Sequence, residues 1–249
     1  MCSLKDNRSG VALVTGASSG IGAQISVFLA NKGITVLGLA RRVALVENLN
    51  AHVLGGGRIV PYHCDLTSED SIFLAFEYLR NSFPPLTILV CNAGILKSNF
   101  LAESPGQDIK ELFDVNVVGT SICLREGLKL LRETKTKGHF IVMNSILGHH
   151  IPNLPVPLFS AYPATKHAIT ALCQTVRQEI KYFKLNIKLT SISPGLVDTD
   201  LLNVYSDDII NYPKLTAADV ANAVMFALNT PNYVQVEEII IKAMDRYDE

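Results

Sequence analysis

Short runs of Val, Ile and Leu alternate along the whole chain with longer segments in which apolar residues recur every three or four positions. The runs show little period-two alternation of apolar and polar residues, which is typical of strands covered on both faces. They predict seven strands, at Val11–Thr15, Thr35–Ala40, Arg58–Cys64, Thr87–Cys91, His139–Ser145, Asn186–Ser193 and Glu238–Lys242. The segments between them predict helices near Gly20–Lys32, Leu45–Val53, Ser68–Ser82, Ile109–Thr134, Ala161–Phe183 and Ala217–Leu228.

This order of elements predicts an α/β fold: a doubly wound, parallel, seven-stranded sheet of the Rossmann type with helices on both faces. The chain shows no repeat, composition break or long linker, so we expect residues 1–249 to form a single domain with its own substrate loop at about 196–215. In such sheets ligands bind beyond the carboxyl ends of the strands. Candidate chemistry is therefore expected just after the strands.

Composition narrows the possible functions. The 22 Lys and Arg and 23 Asp and Glu residues give a net charge of −1, which argues against a polybasic nucleic-acid binder and against docking on anionic lipid. An apolar fraction of 48% and a mean hydropathy of +0.25 argue against disorder. The apolar runs are shorter than the ~20 residues of a membrane span, and the polar first ten residues show no secretory signal. Five scattered cysteines without a CxxC pair predict reduced thiols in a cytoplasmic protein.

A glycine-rich segment, Thr15–Gly22, joins the first predicted strand to the first predicted helix. Glycines in a G-x3-G-x-G pattern let the backbone approach a pyrophosphate, and the helix N-terminus supplies N–H groups and a partial positive charge. A purely structural turn is the alternative, but the position between strand and helix favours phosphate binding. The predicted cofactor-binding residues here are Gly16, Ser18, Ser19, Gly20, Ile21 and Gly22.

The end of the second strand indicates which dinucleotide is bound. A site for NAD usually has an acidic residue there, whereas this chain has Ala40 followed by Arg41 and Arg42. A guanidinium suits a 2′-phosphate, and such a charge-assisted bond of about 1.5–3 kcal/mol predicts NADP(H) as the cofactor. Two solvated arginines are the alternative interpretation.

Candidate catalytic residues cluster near the fifth strand. Tyr162 and Lys166 are four residues apart on a predicted helix, so they share one face, where the ammonium would favour the phenolate. Ser145 ends the fifth strand and could hydrogen-bond a substrate oxygen. Asn116 is predicted on the long helix before that strand, either on its surface or holding a water inside the site.

Several independent motifs together resemble the short-chain dehydrogenase/reductase family over essentially the whole chain. They are the Thr15–Gly22 loop, Cys91-Asn92-Ala93-Gly94, Asn116, Ser145, Tyr162 with Lys166, and Pro194-Gly195. Within the family the chain is similar to the farnesol dehydrogenase and 17β-/3-ketosteroid-reductase-like branch. This similarity rests on the short opening before Val11, Ala40-Arg41, Tyr62-His63-Cys64-Asp65-Leu66 and Gly148-His149.

The resemblance implies roles for residues of the site. Tyr162 would be the general acid/base, Lys166 would bind the nicotinamide ribose and lower the pKa of Tyr162, Ser145 would stabilise the substrate oxygen, and Asn116 would hold a water in a proton relay. Asp65 and Leu66 would flank the adenine, and Asn92, Ala93 and Gly94 would pack along the cofactor. Pro194, Gly195, Val197 and Thr199 would hold the carboxamide end. The resemblance also implies a homodimer or homotetramer formed through the helices at Ile109–Thr134 and Ala161–Phe183.

Two features depart from the family pattern. Pro163 directly follows Tyr162, where small polar residues are usual. Because proline is tolerated in the first turn of a helix, we expect the helix to begin there. The interval between Ser145 and Tyr162 is also several residues longer than expected.

The segments flanking the catalytic residues are apolar. The additional residues lie in Gly148–Phe159, and a second wall is expected from Leu196, Leu201, Leu202, Val204, Tyr205, Ile209, Ile210 and Tyr212. Since no Arg or Lys lies between Pro194 and Lys214, the sequence predicts a lipophilic alcohol or carbonyl substrate, isoprenoid or steroid, contacting Ser145, Phe159, Tyr162 and Leu202. The alternative is that these residues pack on one another or at a subunit interface.

Other functions remain open from the sequence. The enzyme could be a broad-specificity carbonyl reductase, or the chain could be a catalytically silent NADP-binding regulator. His149 and His150 lack partners at zinc-ligand spacing, so we predict loop or pocket-lining residues and no metal site.

Overall fold

A single parallel sheet organises the computed structural model, which describes residues 10–153, 159–204 and 212–244. The strands run in the order β3-β2-β1-β4-β5-β6-β7, so the order reverses between β1 and β4. Their bounds are β1 Val11–Thr15, β2 Thr35–Ala40, β3 Arg58–His63, β4 Leu86–Cys91, β5 Gly138–Met143, β6 Ile187–Pro194 and β7 Glu238–Ile241. This confirms the predicted fold class.

The central strands are buried on both faces, as their apolar sequences predicted. Every residue of β1 is buried, and Val14 stands opposite Gly38 of β2 and Val90 of β4. Neighbouring residues of a strand point to opposite faces, so Leu13 belongs to one apolar core and Val14 to the other. The sheet therefore needs helices on both sides to cover it.

Seven α-helices form these two layers. They are α1 Gly20–Asn31, α2 Val43–Asn48, α3 Glu69–Ser82, α4 Gly106–Phe113, α5 Thr120–Thr134, α6 Tyr162–Tyr182 and α7 Ala217–Asn229 among the described residues. Helices α3, α5 and α6 cover one face of the sheet, and α1, α2 and α7 cover the other. None of the helices in the described ranges has the length and apolarity to cross a bilayer.

Two predicted helices differ from the structure. The segment Ile109–Thr134 is divided into α4, a π-helical stretch at Asp114–Gly119, and α5. The segment Leu45–Val53 contains the end of α2, which runs to Asn48, and then a 3₁₀ turn at Leu49–His52. Both segments remain helical, so the spacing of their apolar residues is close to that of an α-helix. The backbone hydrogen-bond pattern changes, and the spacing of apolar residues does not reveal that change.

Proline 163 occupies the first turn of α6, as the sequence predicted. The helix begins at Tyr162, and Phe159 O accepts a hydrogen bond from Tyr162 N at 3.0 Å. Ser160 has a left-handed backbone conformation with φ of 46°. The chain therefore turns sharply just before α6 and places Tyr162 at the helix entrance.

Candidate active site

A cleft of about 730 Å³ lies at the carboxyl edge of the sheet, over the point where strand order reverses. With two exceptions, the predicted catalytic, cofactor and substrate residues line this cleft. The exceptions are Gly22 and Asn116, which lie behind its wall. Residues from both halves of the sheet therefore meet at the carboxyl ends of the strands, where the sequence predicts the binding site.

The glycine loop is held close to the end of β4. Gly16 has a φ of 68°, and a side chain there would approach the backbone of Ala93 to 2.8 Å. A side chain at Gly22 would lie 2.3 Å from the carbonyl oxygen of Gly16. The loop therefore has room for backbone alone and leaves the N-terminus of α1 facing the cleft, as a pyrophosphate site requires.

Thr15 and Asn92 tie the loop to the neighbouring strand. The Thr15 hydroxyl oxygen accepts hydrogen bonds from the N–H groups of Asn92 and Ala93, each at 3.0 Å. The Asn92 amide Nδ2 donates to Thr15 O at 3.0 Å. Thr15 also lines the cleft. Thr15 was not among the predicted site residues, although its position as a polar residue at the carboxyl end of a strand was a signal for it.

The two arginines after β2 have different surroundings. The Arg42 guanidinium donates to the hydroxyls of Ser19 at 3.1 Å and Ser18 at 3.4 Å, so it leans over the glycine loop. Arg41 lies near Asp65, where hydrogen bonds from Thr67 and, more weakly, the charge of Arg41 lower the pKa of Asp65. Both arginines line the end of the cleft beside β2 and β3, together with Cys64 and Leu66.

The catalytic candidates come together at the other end of the cleft. Tyr162 and Lys166 are both nearly buried, and Lys166 Nζ lies 5.6 Å from the centre of the Tyr162 ring. Lys166 Nζ donates to Met143 O at 3.0 Å, which anchors the ammonium to the end of β5. Ser145 accepts from the N–H of Leu147 at 3.1 Å. The predicted pairing of Tyr162 and Lys166 is thus present in the same cleft as the glycine loop.

Burial sets the protonation of this pair. It raises the pKa of Tyr162 above its usual value, while a hydrogen bond with Ser145 opposes the rise. Burial also lowers the pKa of Lys166 to about 8. The lowering of the Tyr162 pKa by Lys166 stays a prediction, because burial and the hydrogen bond with Ser145 are the influences that the structure shows. Because burial favours the neutral form, the Tyr162 side chain is a protonated phenol at neutral pH.

Asn116 lies in the π-helical stretch between α4 and α5. Its side-chain oxygen accepts from Ile95 N at 2.8 Å, and its Nδ2 donates to Ile95 O at 3.0 Å and to Thr165 Oγ1 at 3.1 Å. Thr165 in turn donates to Tyr162 O at 2.7 Å. Asn116 thus connects the segment after β4 to the first turn of α6. That turn carries Tyr162 and is followed by Lys166.

Apolar side chains surround the end of the cleft beyond Tyr162. Leu96, Leu112, Leu147, Phe159 and Tyr162 form one buried cluster, against which Leu196 and Leu202 pack. Leu201 and Tyr212 also line the cleft. Other residues named for these walls, namely Leu154, Pro155, Val156, Pro157, Leu158, Tyr205, Ile209 and Ile210, lie outside the described residues, as does the side chain of Val204.

Some lining residues were not selected from the sequence. Lys242 follows β7 and lines the cleft beside Gly195, and Asp200 lies in the 3₁₀ helix after β6. Lys242 could have been predicted from the rule that ligands bind at the carboxyl ends of strands. Both residues are far in sequence from the candidate catalytic motifs. Spacing along the chain therefore did not predict that they would line the same cleft as those motifs.

Comparison with known proteins agrees with this geometry. The family model for short chain dehydrogenases matches residues 10–209. A farnesol dehydrogenase of Aedes aegypti is 40% identical over 237 residues, covering 93% of this chain and 95% of that protein. The dehydrogenase/reductase SDR family member 11 of Bos taurus is 37% identical over 255 residues, covering 96% and 98%. The resemblance to farnesol dehydrogenase that the sequence predicted is thereby confirmed.

A solved structure shares the same architecture. The alcohol dehydrogenase of the archaeon Thermococcus sibiricus, complexed with 5-hydroxy-NADP, matches with a TM-score of 0.84 and 26% identity, covering 96% of this chain and 99% of that one. The match extends over the whole sheet and the motifs meet in one cleft. This chain therefore belongs to the short-chain dehydrogenase/reductase family of oxidoreductases, whose members use nicotinamide cofactors.

Proposed function

We propose that this protein is an NADP(H)-dependent oxidoreductase that interconverts a lipophilic alcohol, such as an isoprenoid or a steroid, and its aldehyde or ketone. The observation that carries this proposal is the junction of Tyr162, Lys166 and Ser145 with an apolar pocket at one end of a dinucleotide-sized cleft. The farnesol dehydrogenase relative supports the isoprenoid class.

The residues of the cleft fit a nicotinamide dinucleotide. A Cβ at Gly16 or Gly22 would collide with neighbouring backbone, so glycine lets the loop pack closely there. The N-terminus of α1, which faces the cleft, suits the pyrophosphate. Asp65 and Leu66 would flank the adenine, and Asn92 to Gly94 would lie along the cofactor. Pro194, Gly195, Val197 and Thr199 would hold the carboxamide end. When bound, the nicotinamide supplies or accepts the hydride.

Tyr162 is the proposed proton donor and acceptor. In the reductive direction its phenol gives a proton to the substrate oxygen, and in the oxidative direction the phenolate takes it back. Ser145 orients that oxygen beside Tyr162, since its hydroxyl is already fixed by Leu147 N. The Lys166 charge favours the phenolate as it forms, and Asn116 holds the first turn of α6 in place through Thr165.

NADP(H) is the proposed cofactor because the chain offers a guanidinium where an acidic residue would select NAD. Arg41 is proposed to bind the 2′-phosphate, and Arg42 lies over the loop serines. The complex of the Thermococcus sibiricus relative with an NADP analogue is consistent with this choice.

We further propose a homodimer or homotetramer in the cytoplasm. A groove between α5 and α6 exposes apolar side chains, including Leu128, Leu172 and Phe183, which a second copy would cover. The four cysteines in the described part of the chain are free and buried, which suits a reducing compartment. Light scattering would measure the oligomeric state.

Replacing Tyr162 by Phe tests the catalytic assignment. We expect Tyr162→Phe to lower kcat by about 10²–10⁴-fold, the usual contribution of a general acid, while NADPH still binds. Tyr182→Phe at the exposed end of the same helix is the matched control and should leave kcat unchanged. Turnover that survives Tyr162→Phe would contradict the proposal and favour a different proton donor.

A substrate panel tests the apolar pocket. Each buried methylene contributes about 0.8 kcal/mol, so kcat/KM should rise with chain length from short carbonyls to farnesal and ketosteroids. Enlarging the pocket wall with Leu202→Ala should reduce that rise. Small polar carbonyls that equal or exceed farnesal in kcat/KM would instead identify a broad-specificity carbonyl reductase.

A further inference from the structure

A polar cluster lies behind Ser145, at the junction of β6 and β7. We define it as the Glu238 cluster, formed by His149, Ser191, Ser193 and Glu238. Glu238 Oε1 accepts from Ser193 Oγ at 2.6 Å and from Ser191 Oγ at 3.0 Å. His149 Nε2 lies 2.9 Å from the same oxygen and 3.1 Å from Ser193 Oγ. One carboxylate oxygen on β7 thus contacts three side chains, two from β6 and one from a loop.

The hydrogen bonds fix the tautomer of His149. A carboxylate oxygen only accepts, so the bond to Glu238 requires a proton on Nε2. The His149 side chain is only 25% exposed, and Glu238 is 27% exposed. A charge-assisted bond between partly buried groups holds its geometry better than one on an open surface. The imidazole is therefore fixed at the start of β7.

His149 is connected to Ser145 through a single 3₁₀ turn, Ile146–Gly148. Leu147 N donates to Ser145 Oγ at 3.1 Å, which orients the serine hydroxyl. Gly148 N donates to Ser145 O at 2.9 Å, and His149 N donates to Ile146 O at 3.0 Å. A displacement of His149 is therefore transmitted directly to the N–H group that aims Ser145.

The opposite side of the turn is also fixed. Thr170 on α6 donates to Gly148 O at 2.9 Å and accepts from Asn144 Nδ2 at 2.9 Å. A Cβ at Gly148 would lie 2.7 Å from Lys166 O. The turn thus packs tightly against α6 on one side. On the other side, His149 attaches it to the sheet through Glu238 and Ser193.

We propose that His149 is a positioning residue for Ser145, held by the Glu238 cluster. It does not touch the reacting atoms and lies outside the cleft lining. Its role is to keep the turn Ile146–Gly148 in the register that points Ser145 Oγ at the substrate oxygen. This inference rests on the proposed function, in which Ser145 orients that oxygen.

The test compares three variants of the holoenzyme with farnesal and NADPH. His149→Phe keeps a flat ring but lacks the N–H group. We expect kcat to fall about tenfold, which is less than the ~100-fold loss that a 1 Å misplacement of a reacting group can cause. The dissociation constant for NADPH should remain within about twofold, because the phosphate loop is unaffected. His149→Gln, whose amide can donate to Glu238, should restore kcat to within about threefold of wild type. His150→Phe at the exposed neighbouring position should have wild-type kcat.

A double-mutant cycle with Ser145→Ala decides whether His149 acts through Ser145. If it does, His149→Phe should change the residual kcat of Ser145→Ala by less than about twofold. Additive effects would overturn the inference, as would wild-type kcat in His149→Phe or a Gln variant as impaired as the Phe variant. If His149→Phe does not fold, Glu238→Gln takes its place in the same cycle.

The cycle separates this inference from the function it rests on. If Ser145→Ala alone retains wild-type kcat, the proposed role of Ser145 fails and the inference fails with it. If Ser145→Ala is strongly impaired but His149→Phe adds its full effect, the proposed function stands and only the positioning role is lost.

Discussion

At the scale of single residues, the most informative contrast is between Arg41 and Arg42. The sequence predicted both as ligands of the 2′-phosphate because they are adjacent after β2. In the structure Arg42 hydrogen-bonds Ser18 and Ser19, whereas the charge of Arg41 acts on Asp65. The two guanidinium groups should therefore affect cofactor binding differently, Arg41 through the 2′-phosphate and Arg42 through the pyrophosphate loop.

Substitution should separate these roles. We expect Arg41→Ala to raise KM for NADPH by about 10–100-fold, the value of one charge-assisted hydrogen bond, and to leave KM for NADH within about threefold. Arg42→Ala is the matched control, and it should weaken both cofactors to a similar degree. Steady-state kinetics with each cofactor measures this. Equal use of NADH and NADPH by the wild type would contradict the assignment.

The placement of the candidate catalytic residues was predictable from the sequence, but their protonation was not. Tyr162 and Lys166 share a helix face because of their spacing, which is local information. Their pKa values depend on how deeply the folded chain buries them, which is decided by elements distant in sequence. The contact between His149 and Glu238 was not predictable for the same reason. His149 is on a loop and Glu238 is on the last strand, and no sequence pattern indicates that they meet.

At the scale of elements, the strands were predicted to within two residues because continuous apolar runs determine them. The interruption of the helix at Asp114–Gly119 was not predicted, because a π-helical stretch keeps neighbouring residues helical. Its consequence is that Asn116 contacts Ile95 and Thr165. The irregular element therefore turns the Asn116 amide inward beside the first turn of α6.

The β5–β6 pair carries a pH-sensitive contact. His139 on β5 lies 2.8 Å from Thr190 Oγ1 on β6, and burial, followed by the charge of Lys188, lowers the pKa of His139 from 6.5 to about 3. Between these values the unfolded chain binds more protons than the folded one, so stability rises with pH. The stabilisation is complete above pH 6.5 and is lost as pH falls towards 3.

Urea unfolding at several pH values tests this. The wild type should lose up to about 1.4 kcal/mol of unfolding free energy per pH unit below 6.5 through this group. In His139→Gln that part of the pH dependence should disappear. His52→Gln, in the exposed 3₁₀ turn after α2, should keep it. An unchanged slope in His139→Gln would show that His139 does not titrate in this range.

At the scale of the whole molecule, the cleft joins the two halves of the sheet. Arg41 and Asp65 lie at the β2–β3 end, Ser145 lies just after β5, and Pro194 is the last residue of β6. A ligand that fills the cleft contacts both halves at once. Because it binds only the folded chain, it should stabilise the entire domain rather than one loop.

Thermal unfolding should therefore distinguish the two cofactors. At one hundred times its Kd, NADPH should add about 2.7 kcal/mol, which corresponds to an increase in Tm of roughly 5–10 °C for a chain of this size. NADH at the same concentration should raise Tm less, and Arg41→Ala should remove the difference between the cofactors. Equal increases in the wild type would indicate that the 2′-phosphate is not recognised.

The closeness of Gly22 to the carbonyl of Gly16 has a consequence for the speed of association. Because the loop is packed against itself and against β4, its ordering entropy is lost during folding rather than on encounter with a ligand. A preorganised cradle needs little rearrangement to dock a dinucleotide. Association should then be limited by diffusion and orientation, and differences between ligands should appear in their residence times.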